Sequence, residues 1–104
     1  LYNDKNMLVS NLTILEDFVQ KHAQAVKPLN RWLKTVENAK WKNHNELKND
    51  FPSADYVGNG RYVFNISGNN FRLVTVVLFV GEIVMIRFAG THAEYSQIDK
   101  CSEL

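Results

Sequence analysis

Arginine is the side chain of choice where a planar, permanently charged fork must hold a phosphate or a carboxylate. This chain distributes its arginines unevenly. Three of the four, Arg61, Arg72 and Arg87, fall in the stretch 61–95, which holds none of the eight lysines. Strand alternation sets those three on one face with Asn65 and Asn70. Next comes Thr91-His92-Ala93-Glu94-Tyr95. Thr91 and Glu94 have capping-box spacing, which makes Thr91 an N-cap and puts His92 and Tyr95 on one side of a helix's first turn. Histidine ordinarily titrates near neutrality and serves as a general acid or base, with tyrosine as the alternative or the second partner. Cations beside proton carriers make an anion-binding, proton-transferring site. Each residue also has a structural reading: the arginines as edge charges on a solvated face, Asn70 as a turn former, His92 as a first-turn residue, Tyr95 as a ring packed on the sheet edge.

The elements that must position these residues follow from periodicity. Three strand-like runs, 61–66, 71–80 and 82–88, are separated by the turn signals Ser67-Gly68-Asn69-Asn70 and Val80-Gly81, short enough for antiparallel hairpins. Hairpin pairing puts Tyr62, Phe64, Ile66, Phe71, Leu73, Thr75, Val77, Phe79, Val84, Ile86 and Phe88 on a core face. Val63, Val74, Val76, Ile83 and Met85 fall among the arginines. They are too apolar for plain exposure, so a protein partner is expected to shield part of that face.

Upstream, Thr13 and Glu16 have cap spacing for a helix through about residue 25, with Ile14, Phe18 and His22 in its apolar stripe. His22 reads as a packing residue or a helix C-terminal cation. A second helix opens near Pro28 and runs to about residue 39, burying Leu29, Trp32, Leu33 and Val36. Trp41 lies between Lys40 and Lys42, which suits a nucleic-acid contact or, more commonly, a tryptophan closing a helical hairpin. Asn43 with Glu46 opens a short third helix, with His44 solvated at its first turn. Residues 54–57 form a short strand. Residues 7–9 fit a strand or the lead into a helix. The last helix runs to about residue 99, and residues 100–104 fray. The fold class is α+β: N-terminal helices on one face of an antiparallel β-sheet, then a short C-terminal helix.

At 104 residues this is one domain, 1–104, with residues 1–6 an upstream extension or an added remnant. A net charge of +1 excludes binding to nucleic acid by bulk charge and leaves local clustering. One cysteine, Cys101, excludes an internal disulfide and, with no signal peptide in view, favours the cytoplasm. No apolar run is long enough for a membrane span. The histidines and the cysteine show no metal-ligand spacing, and no cofactor is expected.

The runs GNGRYVFNISGNNFRLV and IRFAGTHAEY, with PLNRWLKTVENAKWKNHNELKNDFPSADYVGNGR upstream, resemble the HigB family of toxins in the RelE-like ribonuclease superfamily. The resemblance covers roughly residues 7–99. It implies the same fold and a metal-independent endoribonuclease that cleaves messenger RNA on the ribosome, restrained by a cognate helix-turn-helix antitoxin. Such cleavage needs a base for the ribose 2′-hydroxyl, cations for the phosphorane and an acid for the leaving oxygen. Arg72 and Arg87 then fall to the scissile phosphate, His92 and Tyr95 to proton transfer, and Arg61, Asn65 and Asn70 to RNA binding. Lys21, Lys27, Lys34, Lys40, Lys42 and Lys48 are either ribosomal RNA contacts or solvated faces. Two alternatives remain: a non-catalytic RNA- or ribosome-binding module, and an antitoxin-binding protein of the same fold.

Overall fold

The computed structural model describes residues 6–104, so most of the proposed extension, residues 1–5, lies outside the described residues. The elements in order are β1 (Leu8–Ser10), α1 (Leu12–Lys21), α2 (Val26–Glu37), α3 (His44–Asp50), β2 (Asp55–Gly58), β3 (Arg61–Ile66), β4 (Phe71–Leu78), β5 (Ile83–Thr91) and α4 (His92–Tyr95). Short 3-10 turns follow α1 at Ala23–Ala25 and close the chain at Cys101–Glu103. The sheet order is β1-β5-β4-β3-β2. Its hairpins are antiparallel, as alternation requires, but β1 joins β5 in parallel, so the sheet is mixed. The apolar segment at residues 7–9 is therefore a strand rather than a helix lead.

The helices differ at their ends from the cap signals. α1 starts before Thr13, because Asn11 is the N-cap, in a left-handed conformation (φ 66°) with its amide donating to the Ile86 carbonyl at 3.0 Å. Asparagine tolerates that conformation, and its sheet contact fixes where the helix enters. α1 ends at Lys21, and the 3-10 turn takes over the expected last turn. α3 begins as expected, with Asn43 Oδ1 accepting from the Glu46 amide at 3.0 Å. Trp41 is buried, its indole donating to Asp50 at 2.9 Å, which settles it as a core residue. His44 is exposed but not simply solvated: its Nδ1 lies 2.7 Å from the hydroxyl of buried Tyr62. Lys48 Nζ donates to the carbonyls of Pro52 and Ala54 and holds the loop into β2.

One face of the sheet, with Tyr62, Phe64, Ile66, Phe71, Leu73, Val77, Val84 and Ile86, packs with Leu15, Phe18, Leu29, Trp32 and Val36 of the helices into the main core. Phe88 departs from its expected place. Val74 pairs with Phe88 but Thr75 pairs with Ile86, so Arg87 is the extra residue of a β-bulge. The bulge keeps Arg87 on the arginine face, brings Phe88 to the same face and gives the core position to Ala89.

On the arginine face Val63, Val74 and Val76 are buried. The chain covers them itself. Residues 96–104 do not fray but return across this face, with Arg61 Nη2 and Nε donating to the Leu104 oxygen at 2.6 and 3.1 Å and Asn59 donating to the Ser102 carbonyl. A shielding partner is thus not required for the three valines. The helix expected to reach residue 99 stops at Tyr95, because the segment must turn there to lie on the sheet. Deleting residues 101–104 should uncover the valines and lower stability on the order of 1–3 kcal/mol, read as a lower urea midpoint. An unchanged midpoint would show that the segment covers nothing.

Candidate functional site

The site forms where β3, β4 and β5 end together. Asn65, Arg72 and Gly90 lie side by side on one row across the three strands. Phe71 pairs with Thr91 one row further on, and the His92 amide then donates to the Asn70 carbonyl at 3.2 Å. The end of β5 is thereby tied to the β3–β4 turn at the point where α4 begins.

The capping box read from the sequence is complete. Thr91 Oγ1 accepts from the Glu94 amide at 3.1 Å, and Glu94 Oε1 accepts from the Thr91 amide at 2.8 Å. This closed ring sets the direction of α4's single turn. Tyr95 swings beneath the arginine, with Arg72 Cζ 4.9 Å from its ring centroid. The guanidinium also donates from Nη2 to Asn69 Oδ1 at 3.2 Å. Arg72 Nε is buried and has no acceptor among the described residues. A flat cation is thus held on a ring and by one amide, and guanidinium N–H groups are the donors with which arginine forks grip oxyanions.

Gly90 makes room for this arrangement. A Cβ there would lie 2.4 Å from Phe88 Cζ and 3.1 Å from Glu94 Oε1, so the Phe88 ring lies over the glycine beside Arg72's row. Burial pushes the Tyr95 phenol above its ordinary value of 10.0, and the side chain of Cys101 adds to the rise while Arg72 opposes it. Tyr95 therefore remains a neutral hydroxyl, able to donate, throughout the physiological range.

The structure brings Arg72 and Tyr95 together, with Asn65 beside Arg72 across the strands and Arg87 exposed on the adjacent bulge, while His92 is tied to this end of the sheet through its backbone amide. His92 is exposed at the first position of α4, its Nδ1 3.4 Å from Ser96 Oγ. Asn70 serves through its backbone, which turns the hairpin and anchors His92. Arg61 stands apart: it pairs with Val76, four residues along β4 from Arg72, roughly 13 Å at strand rise. Its guanidinium is occupied by the Leu104 and Asn59 oxygens. Sequence reasoning missed Asn69, the side chain that steadies Arg72. The turn Ser67-Gly68-Asn69-Asn70 offered it, but which of two adjacent asparagines faces the arginine depends on turn geometry, with Ser67 and Gly68 both at positive φ.

Among the described residues no helix is long and apolar enough to cross a membrane. Comparison with known proteins gives the family. The mRNA interferase toxin HigB of Escherichia coli (strain K12) is 36% identical over 84 residues, covering 78% of this chain and 80% of that protein. The mRNA interferase HigB of Shigella flexneri matches to the same extent. A further mRNA interferase HigB, from Escherichia coli strain CFT073, is 23% identical over 87 residues, 82% of this chain and 84% of that protein. A family profile for HigB toxins, the RelE-like toxic component of a toxin–antitoxin system, matches residues 25–98. By that profile and these relatives, this chain belongs to the HigB family of RelE-like toxins.

Proposed function

We propose that this toxin cleaves messenger RNA on the translating ribosome, in the cytoplasm, and is held inactive by a cognate helix-turn-helix antitoxin. The observation that carries the chemistry is the Arg72 guanidinium, which lies over the Tyr95 ring with a buried N–H lacking an acceptor among the described residues, and Tyr95 is one helical turn from His92. The relatives named as mRNA interferases supply the substrate class.

RNA carries its own nucleophile, so the protein needs to bind, orient and move protons. The RNA backbone lies across the row Asn65–Arg72–Gly90 with the scissile phosphate on Arg72, and Arg87 adds charge from the bulge. His92 takes the proton from the ribose 2′-hydroxyl as its oxygen attacks phosphorus. The new 2′-O–P bond forms as the P–O5′ bond breaks, leaving a 2′,3′-cyclic phosphate on one fragment. The departing 5′-oxygen takes a proton from the Tyr95 phenol, whose raised pKa keeps that proton available. The arginines stabilise the charge of the phosphorane.

Arg72→Ala should lower cleavage on the order of a hundredfold or more, because it removes a preorganised cation from the transition state. Lys34→Ala, on the exposed side of α2, should change it little. Equal small effects in mapped cleavage on purified ribosomes would remove the clamp from the mechanism.

His92→Gln and Tyr95→Phe should each lower cleavage by roughly a hundredfold to ten-thousandfold while ribosome binding persists. A double variant that cuts as fast as wild type would place proton transfer elsewhere. If the wild-type protein blocks translation without cutting, the non-catalytic binding module is the right reading.

Tyr95 and Tyr62 both have pKa values raised chiefly by burial. A group whose folded pKa lies above its unfolded value loses its contribution to stability as pH rises. Thermal midpoints should therefore be insensitive to these two groups below pH 10 and fall above it. Tyr95→Phe should flatten part of that fall. A fall of the same size in the variant would show that Tyr95 ionises no differently in the folded chain.

A further inference from the structure

The one arginine outside the sheet, Arg31, is brought by the fold to Asn65, the cross-strand partner of Arg72. It lines a cavity of about 180 Å³ with Trp32 and Thr35 of α2 and with Asn65, Ile66 and Ser67 at the end of β3. Asn65 is the cross-strand partner of Arg72, so the cavity and the clamp flank the same residue. The outer side of β3 is open at this point, because β2 pairs with it only as far as Val63.

The lining is one-sided in its chemistry. Trp32 is 2% exposed, yet its indole Nε1 is buried with no acceptor among the described residues. The other tryptophan, Trp41, gives its indole proton to Asp50. A buried N–H without a partner costs folding energy, and an oxygen from outside the protein, of water or of a ligand, would satisfy it. Arg31 is exposed at the rim, Asn65 is half-buried, and Ser67 adds a hydroxyl on the turn. No carboxylate lines the cavity. From residue 18 to residue 36 the chain carries Lys21, Lys27, Arg31 and Lys34 and no acidic residue. Donors and positive charge without a carboxylate favour an anion.

We propose that this cavity is a second phosphate subsite, which holds the RNA linkage next to the scissile one. Arg31 grips that phosphate as a charge-assisted fork, and the Trp32 indole N–H donates to one of its oxygens. Asn65 lies between the two phosphates and fixes their spacing. The subsite rests on the reading of this chain as an RNA-cleaving toxin and names residues that hold its substrate apart from the chemistry.

The test uses deoxydinucleotides, which lack the 2′-hydroxyl and cannot be cleaved, with a terminal phosphate at the 5′ end, at the 3′ end or at neither. In a ¹H–¹⁵N spectrum of the full chain, one of the two phosphorylated forms should move the Trp32 indole resonance downfield and leave that of Trp41 in place. The same form should bind about tenfold more tightly than the unphosphorylated one, the effect of roughly one charge-assisted hydrogen bond. Arg31→Ala should abolish that gain and leave binding of the unphosphorylated form unchanged. Trp32→Phe, which keeps a packed ring and removes the donor, should reduce it. A gain that survives Arg31→Ala, no gain at all, or an unmoved Trp32 indole overturns the subsite. If wild type still cuts messages on ribosomes in that event, only the subsite falls. If it neither cuts messages nor binds the unphosphorylated dinucleotide, the RNA-cleaving reading falls with it.

Discussion

A guanidinium that is half-buried must find acceptors or pay for their absence, and Arg72 finds only part of what it needs. Its plane rests on Tyr95, one nitrogen reaches Asn69, and its Nε is left without an acceptor among the described residues. Much of the local structure holds that arrangement in place. Tyr95 is positioned by the Thr91–Glu94 capping box, which hangs from the last residue of β5. The alignment of β5 with β4 is set by the bulge at Arg87, which also swings Phe88 over Gly90. An unmet buried donor lowers stability until water or a ligand completes it.

The two faces of the sheet solve different problems. One is covered by α1 and α2 in the main core, where aromatic edges meet, Trp32 on Phe64 and Phe18 on Phe71. The other must cover three valines and still present charge. It does so with a short returning segment rather than a helix layer, and that choice divides the arginines. Arg61 gives its donors to backbone oxygens of the segment and becomes a tether. Arg72 and Arg87, nearer the open end of the sheet, stay available. Residues of the same type on the same face thus take opposite roles, decided by what lies above them.

The proposed chemistry asks little of the protein beyond this preorganisation. A ribose brings its own nucleophile, so a clamp and two proton carriers on rigid elements suffice, and a chain of 104 residues can supply them. The near-neutral net charge is compatible with RNA as substrate because the cations are gathered locally: the arginines at the sheet end, and the acid-free run from residue 18 to 36 alongside.

The sequence by itself determined the strands and the faces their side chains occupy, because a period of two leaves no freedom once one face is apolar. It also determined the Thr91 cap, whose donors and acceptors are all within four residues, and hence the spacing of His92 and Tyr95 by one helical turn. Family membership was legible too, in motifs whose order and spacing span most of the chain. Tertiary structure alone decided the rest. A bulge is a long-range mismatch between two strands, so the alternation in β5 gave no sign that Phe88 would leave the core. The path of residues 96–104 depends on a groove that exists only after the sheet is built, and with it the fate of Arg61. The meeting of Arg31 and Trp32 with Asn65 joins residues more than thirty apart in the chain, a contact no local pattern encodes. Local periodicity and capping are short-range physics and can be read along the chain, whereas shared cavities and satisfied charges belong to surfaces that only packing creates.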